Sequence, residues 1–311
     1  MKDENKETVI LVATSGDTGS AVANAFLGMD GFRVGLLYPS GMVSKIQEQQ
    51  LTTIGRNVRA FEIQSSFDDC QAIVKTAFMD DELNGLFNLT SANSINIARL
   101  LPQSFYYFWA RAQLKMDGRP VVFNVPSGNF GNLSAGILAS KMGLSVAGFI
   151  AAVNANTSFS RYLETGKFTP AATIPTLSNA MDVGAPSNFT RIESIFGNDV
   201  EKVRDRISSI SISDQQTVQG IREVYENFKY IIDPHGAVGY QAYRYLHADS
   251  DAHQVILETA HPAKFQDTVE QALDIKIDIP ERLQACMQKE KQATLLKSDY
   301  NLFKSTLIEM F

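Results

Sequence analysis

Three polar loops, each following a short apolar run, hold the residues able to do chemistry. Thr14-Ser15-Gly16-Asp17-Thr18-Gly19 follows the run at 9–13, Ser127-Gly128-Asn129-Phe130-Gly131-Asn132 follows the run at 121–123, and Glu258-Thr259-Ala260-His261-Pro262 follows Val255-Ile256-Leu257. The first is rich in hydroxyls and glycine at the start of a helix-like pattern, which suits a carboxylate. In the second, small residues let the backbone approach a ligand, and the N–H groups and dipole of the helix that follows favour an anion, phosphate being the obvious candidate. Spacing alone fits a simple strand-to-helix turn there equally well. The third offers one hydroxyl, Thr259, at a strand end.

The elements that must position these loops alternate. Continuous apolar runs at 9–13, 34–38 and 58–63 suit strands buried on both faces. Helical spacing follows at 21–28, 46–54 and 68–83, closed at Gly28 and Gly55 in the first two cases. This rhythm predicts parallel strands with right-handed helical crossovers and ligands at the carboxyl ends of the strands. A short strand is expected at 87–89, and residues 94–114 read as a helix whose aromatics, Trp109 among them, indicate burial. Beyond it come strands at 121–123 and 146–153, and helices at 157–163, 200–208, 214–228 and 237–246. The last strong strand is 255–257, and two or three terminal helices close the chain. Residues 165–192, rich in Thr, Pro, Ser and Asn, read as a long loop on the surface or at a domain boundary. The expected architecture is α/β, two open parallel-type sheets with flanking helices. A smaller domain is expected at 1–115 and a larger cofactor-binding one at 116–311. Loops holding a carboxylate, a phosphate and a hydroxyl-bonded ring at one sheet edge describe a pyridoxal-phosphate enzyme acting on an amino acid.

Composition narrows the classes. With 44% hydrophobic and 20% charged residues over 311 positions, the chain is an ordinary globular sequence able to bury a large core. A net charge of −6 argues against sequence-independent nucleic-acid binding, which needs a basic face. No apolar run is long enough to span a bilayer, and no signal core follows Met1. Two cysteines, Cys70 and Cys286, allow at most one bridge and indicate a reduced, cytoplasmic setting. The four histidines show no metal spacing and suit surface or supporting roles. No G-x-G-x-x-G follows the first strand, which weakens a dinucleotide-binding reading.

The three loops, together with Ser91-Ala92-Asn93-Ser94-Ile95-Asn96 and the extension Ala263-Lys264-Phe265, closely resemble threonine synthase in order and spacing, from about residue 7 onward. The resemblance implies a fold-type-II pyridoxal-phosphate architecture of the tryptophan synthase β kind. It also implies conversion of O-phosphohomoserine and water to threonine and phosphate, the last step of threonine biosynthesis, by a monomer or homodimer. By likeness, the backbone of Gly128, Asn129, Phe130, Gly131 and Asn132 holds the cofactor phosphate, Thr259 hydrogen-bonds the pyridine nitrogen, and Asp17 lies near the ring hydroxyl. Thr14, Ser15 and Thr18 belong to the loop receiving the substrate carboxylate. Asn93, Ser94 and Arg99 form the pocket for the substrate phosphate, where a guanidinium offers paired donors in a plane.

One family element has no counterpart. The Schiff-base lysine of the family lies in a His-Gly-Pro-Thr-x-x-Phe-Lys-Asp motif upstream of the first loop, and no such motif occurs in this sequence. The N-terminal segment and part of the small domain are expected to be missing. Lys45 and Lys264 have other contexts. The expectation is that this chain alone has little or no activity and exposes apolar surface that the missing segment would cover. A non-catalytic ligand-binding module descended from the synthase is the alternative, as is another pyridoxal-phosphate lyase such as a dehydratase. The latter class usually has a more glycine-rich phosphate loop and lacks the Asn93–Arg99 pocket.

Overall fold

The computed structural model describes residues 6–93, 96–115, 117–247 and 250–311. Its strands are β1 (Thr8–Ala13), β2 (Phe32–Pro39), β3 (Val58–Gln64), β4 (Asn88–Ser91), β5 (Val121–Pro126), β6 (Gly148–Val153), β7 (Ile207–Ser211), β8 (His253–Ile256) and β9 (Thr294–Lys297). They form two parallel sheets, ordered β4-β1-β2-β3-β9 and β7-β6-β5-β8. Val9, Leu11 and Val12 in β1 are fully buried, as a parallel strand covered on both faces requires.

The chain divides into two compact units, Met1–Asn93 with Asp278–Phe311, and Ser94–Ile277. The division therefore falls near 94 rather than at 115, because the helix Leu100–Gln113 is packed into the second unit. Its Tyr107 ring is fully buried against Phe123 and Phe149, with centroids 4.8 and 6.2 Å away. The Tyr107 hydroxyl donates to the Asn132 carbonyl at 2.7 Å. The C-terminal residues return to the first unit, where β9 pairs with β3 from Phe61↔Thr294 to Gln64↔Lys297.

Serine side chains start three of the helices. Ser44, Ser66 and Ser213 each form a capping box, opening the helices Lys45–Thr52, Phe67–Phe78 and Asp214–Phe228. Four expectations need correction. Residues 68–83 are not one helix: Phe67–Phe78 ends at Met79, and Asp80 caps a second helix, Asp81–Leu86. Residues 200–208 are not one helix: after Val200–Arg204 the alternating Ile-Ser-Ser-Ile-Ser becomes the edge strand β7. The closing segment contains a strand, β9, as well as helices. The helix Leu100–Gln113 is buried on one face only, since Leu101, Phe105 and Trp109 are 52%, 60% and 69% exposed. No described helix is long and apolar enough to cross a membrane. Among the described residues, no cluster of three or more His, Cys, Asp or Glu could hold a metal ion.

Candidate functional site

In the first unit, β1 runs into the loop 14–16 and the helix Asp17–Phe26. Thr14 is buried and its hydroxyl is spent on the loop itself. It donates to the Gly16 carbonyl at 2.8 Å and accepts the N–H groups of Gly16 and Gly19 at 3.2 and 3.1 Å. Gly19 must stay glycine: a Cβ there would lie 2.6 Å from side-chain carbons of Thr14 and Leu51. The hydroxyls of Ser15 and Thr18 have no hydrogen-bond partner among the described residues. The helix start has no side-chain cap, so hydroxyls and first-turn amides together form a donor set fit for a carboxylate. Asp17 accepts from Gln47 Nε2 at 3.4 Å.

Asn93 belongs to this unit and braces it. Its Oδ1 accepts the Ala13 N–H at 3.0 Å and its Nδ2 donates to the Ala13 carbonyl at 2.6 Å. The side chain expected at a substrate phosphate thus satisfies both polar groups of the residue that ends β1. Ser94 lies outside the described residues. Arg99 belongs to the other unit, at the end of the turn Ile97–Arg99 that leads into Leu100–Gln113. Its guanidinium is half-buried, with burial drawing its pKa below the ordinary value. Among the described residues no carboxylate pairs with it, so it offers an anion a planar set of donors. This differs from an exposed helix charge.

In the second unit, β5 ends in the turn 127–130, and the helix Gly131–Lys141 starts there without a side-chain cap. Phe130, its N-cap, takes the left-handed conformation with φ 56°. Asn132 closes the turn: its Oδ1 accepts from the Ser127 hydroxyl and from the Leu133 N–H, and its Nδ2 donates to the Pro126 carbonyl at 2.7 Å. With that side chain occupied, the backbone N–H groups are what the turn can offer a ligand. An uncapped helix start with a small residue at its first position is a fitting cradle for a phosphate dianion. Strands β5 and β8 are parallel neighbours in register to Asn124↔Ile256, and the Leu257 N–H still reaches the Asn124 carbonyl at 3.0 Å. Thr259, exposed, follows three residues after β8 on the chain that leaves this carboxyl edge.

Residues 166–178 are without helix or strand and largely exposed, as expected of a loop, while the part of 165–192 that follows supports the turn 127–130. The Asn129 side-chain oxygen accepts the Ser187 N–H at 2.6 Å and the Ser187 hydroxyl at 3.0 Å, while Asn188 Nδ2 donates to the Asn129 carbonyl at 2.9 Å. A Cβ on Gly184 would lie 1.9 Å from the Ala171 carbonyl oxygen, so the segment folds tightly on itself. Asp182 can be buried there because its neighbours satisfy it. Asp182 accepts from Asn154 Nδ2 at 2.8 Å, from the Thr176 hydroxyl at 2.7 Å and from the Thr176 N–H at 2.9 Å. No motif signals this; only the density of Asn, Thr and Asp at 154–182 hints at it.

Burial pushes the Asp182 carboxyl up to about 6 despite those donors. The folded value lies above the unfolded 3.8, so the folded state holds the proton more tightly. The stability gained is complete below about pH 4 and is lost as the pH rises through about 6. Asp182→Asn lacks this contribution and sets an amide donor against one of the donors. Its stability deficit relative to the parent is expected to widen by about 2 kcal/mol between pH 7 and 4.5, measured by urea unfolding at each pH. A deficit that is constant with pH would show that Asp182 does not titrate in this range.

Three comparisons with known proteins bear on the family and the fold. A family model described as pyridoxal-phosphate dependent enzyme matches residues 1–258, and one described as threonine synthase, C-terminal, matches residues 236–307. Threonine synthase from Buchnera aphidicola subsp. Acyrthosiphon pisum is 45% identical over 288 residues, covering 91% of this chain and 66% of the relative. The chain thus spans about two thirds of the length of that curated relative. Among solved structures, threonine synthase from Escherichia coli superposes with a TM-score of 0.94 at 43% identity, covering 98% of this chain and 71% of that one. The PLP-bound threonine synthase from Brucella melitensis gives 0.85 at 35% identity, with coverage of 98% and 71%.

Proposed function

The chain belongs to the threonine synthase family of pyridoxal-phosphate-dependent enzymes, and we propose that it carries the cofactor and substrate loops of a lyase converting O-phosphohomoserine and water to threonine and phosphate. The observation that carries this reading is the uncapped helix start that follows β5, the strand whose parallel neighbour β8 leads into the segment with Thr259. When bound, pyridoxal phosphate supplies the electron sink that loosens bonds at the amino-acid carbons.

The chain's own residues take these roles. The amides of 128–132 hold the cofactor phosphate. The Thr259 hydroxyl bonds the ring nitrogen and, unlike a carboxylate, does not enforce a protonated ring. Asp17 is assigned to the ring hydroxyl. Ser15, Thr18 and the first-turn amides of Asp17–Phe26 receive the substrate carboxylate, with Thr14 and Asn93 keeping that loop in shape. Arg99 holds the substrate phosphate, and retaining the released phosphate there assists the later proton transfers and water addition.

Turnover also needs a lysine to bond the cofactor and move the α-proton. Lys45 is exposed at the start of Lys45–Thr52, and Lys264 sits in the turn Pro262–Phe265; neither has the Phe-Lys-Asp context. This favours a 311-residue chain that binds ligands without catalysing the reaction by itself. The test is phosphate release from O-phosphohomoserine by this chain alone and by the chain joined to a family segment bearing that motif. No turnover is expected from the first and turnover from the second, with Arg99→Ala lowering kcat/KM of the joined protein about 100-fold. Turnover by the 311 residues alone sinks the lysine argument; a joined protein inert on phosphohomoserine sinks the substrate.

A further inference from the structure

The turn Asn179–Met181 lies directly against the phosphate cradle. A Cβ on Gly128 would sit 2.6 Å from the Met181 Cα and carbonyl oxygen, so the place of Met181 limits how the Gly128 backbone can relax. That turn is tied to the rest of the unit by Ala180, whose N–H donates to His235 Nε2 at 3.2 Å. Only an unprotonated ring nitrogen accepts an N–H, so the ring carries its proton on Nδ1. Nδ1–H in turn donates to Asp233 Oδ1 at 2.6 Å. Asp233 is fully buried and also accepts the backbone N–H groups of His235 and Gly236, at 2.8 and 3.4 Å, at the start of the helix Pro234–His247.

The same group of residues reaches the other end of the candidate cofactor site. The Asp233 N–H donates to Glu258 Oε1 at 3.3 Å, the Tyr230 hydroxyl donates to Glu258 Oε2 at 2.6 Å, and Glu258 is the residue before Thr259. The His235 ring also packs on Phe265, with centroids 4.8 Å apart, in the turn that follows Thr259. One imidazole thus stands between the support of the phosphate turn and the support of the ring-nitrogen hydroxyl.

We propose that His235, oriented by Asp233, is a positioning residue that holds the phosphate turn at its working distance from the end of β8 and so sets the affinity for a phosphorylated pyridine. This rests on the cradle reading above. A packing role predicts that any polar residue of similar size serves; a positioning role depends on which nitrogen is kept. His235→Gln keeps an acceptor near the Nε2 position for the Ala180 N–H. His235→Asn keeps a donor toward Asp233 but falls short of Ala180.

The probes are 4-deoxypyridoxine 5'-phosphate and 4-deoxypyridoxine, which lack the aldehyde and cannot react with stray lysines. Their affinities for the full chain are read by titration calorimetry. H235N is expected to lose about tenfold in its preference for the phosphorylated probe, the worth of one buried hydrogen bond. H235Q is expected to keep that preference within about threefold. Amide exchange at 127–132 and 178–182 should rise in H235N and not in H235Q, a readout that needs no ligand. A parent chain with no preference for the phosphorylated probe overturns the cradle reading and this proposal with it. A parent that has the preference, with H235N retaining it, overturns the positioning role alone. Equal losses in H235N and H235Q show that the bond to Ala180 is not what sets the preference and overturn the positioning role as well.

Discussion

Gly128→Ala is expected to abolish measurable binding of a phosphorylated pyridine to this chain, at least a 100-fold loss, and to cost about 1–3 kcal/mol of stability. The added Cβ would meet the Met181 Cα, carbon and oxygen at 2.6–2.7 Å. Those are backbone atoms, so no rotamer change relieves the overlap. Met181 cannot retreat easily, because its neighbour Ala180 is held by His235 and Asp182 is locked by Asn154 and Thr176. The strain therefore falls on the cradle. Gly85→Ala is the control: it lies in the helix Asp81–Leu86 with open space around its Cβ position, and it should be neutral or stabilising by about 0.5–1 kcal/mol. If G128A binds the phosphorylated probe as the parent does, the turn at 127–132 is not the phosphate site.

The second large effect is expected at Asn93. Truncation to alanine leaves the Ala13 N–H and carbonyl without partners where both residues are buried, Ala13 being 1% exposed. Each orphaned group costs about 1–3 kcal/mol, giving a loss of about 3–5 kcal/mol on urea unfolding. Asn93→Asp should fare no better despite its shape. One carboxylate oxygen still accepts the Ala13 N–H, but the other replaces a donor 2.6 Å from the Ala13 carbonyl and opposes it. Amide exchange at 13–19 should accelerate in both variants, since the loop begins at the braced residue. A cost below about 1 kcal/mol in N93A would mean that water or a neighbour replaces both bonds.

Legibility in the sequence followed the physics of each element. Strands β1 to β3 were readable because burial on both faces makes continuous apolar runs. β9 was not: four residues pair at a sheet edge with residues more than two hundred positions away, and nothing local marks them. The aromatics of Leu100–Gln113 gave the helix but not its facing, which the sheet beneath decides in favour of Leu100, Ser104 and Tyr107. At the candidate site, residue types suggest a carboxylate loop, a phosphate turn and a hydroxyl. Their bracing was hidden, because the same Thr, Asn and His side chains that could contact ligands are bonded to backbone instead. Thr14, Asn93, Asn132 and His235 are all of this kind. The polar stretch 165–192 was legible as a loop but not as a support. Composition marks a segment as hydrophilic, whereas the burial of Asp182 rests on its tertiary partners Asn154 and Thr176.

The pairing of β3 with β9 also sets an order of events at the ribosome. Residues 61–64 emerge long before residues 294–297, with the contiguous unit Ser94–Ile277 in between. At about 5–20 residues per second, the β3 edge stands without its partner for on the order of tens of seconds. The second unit has all its strands by then and can close first. For that interval the nascent chain presents an open strand edge, the kind of surface that pairs with other chains. Its protection depends on the arrival of a four-residue strand.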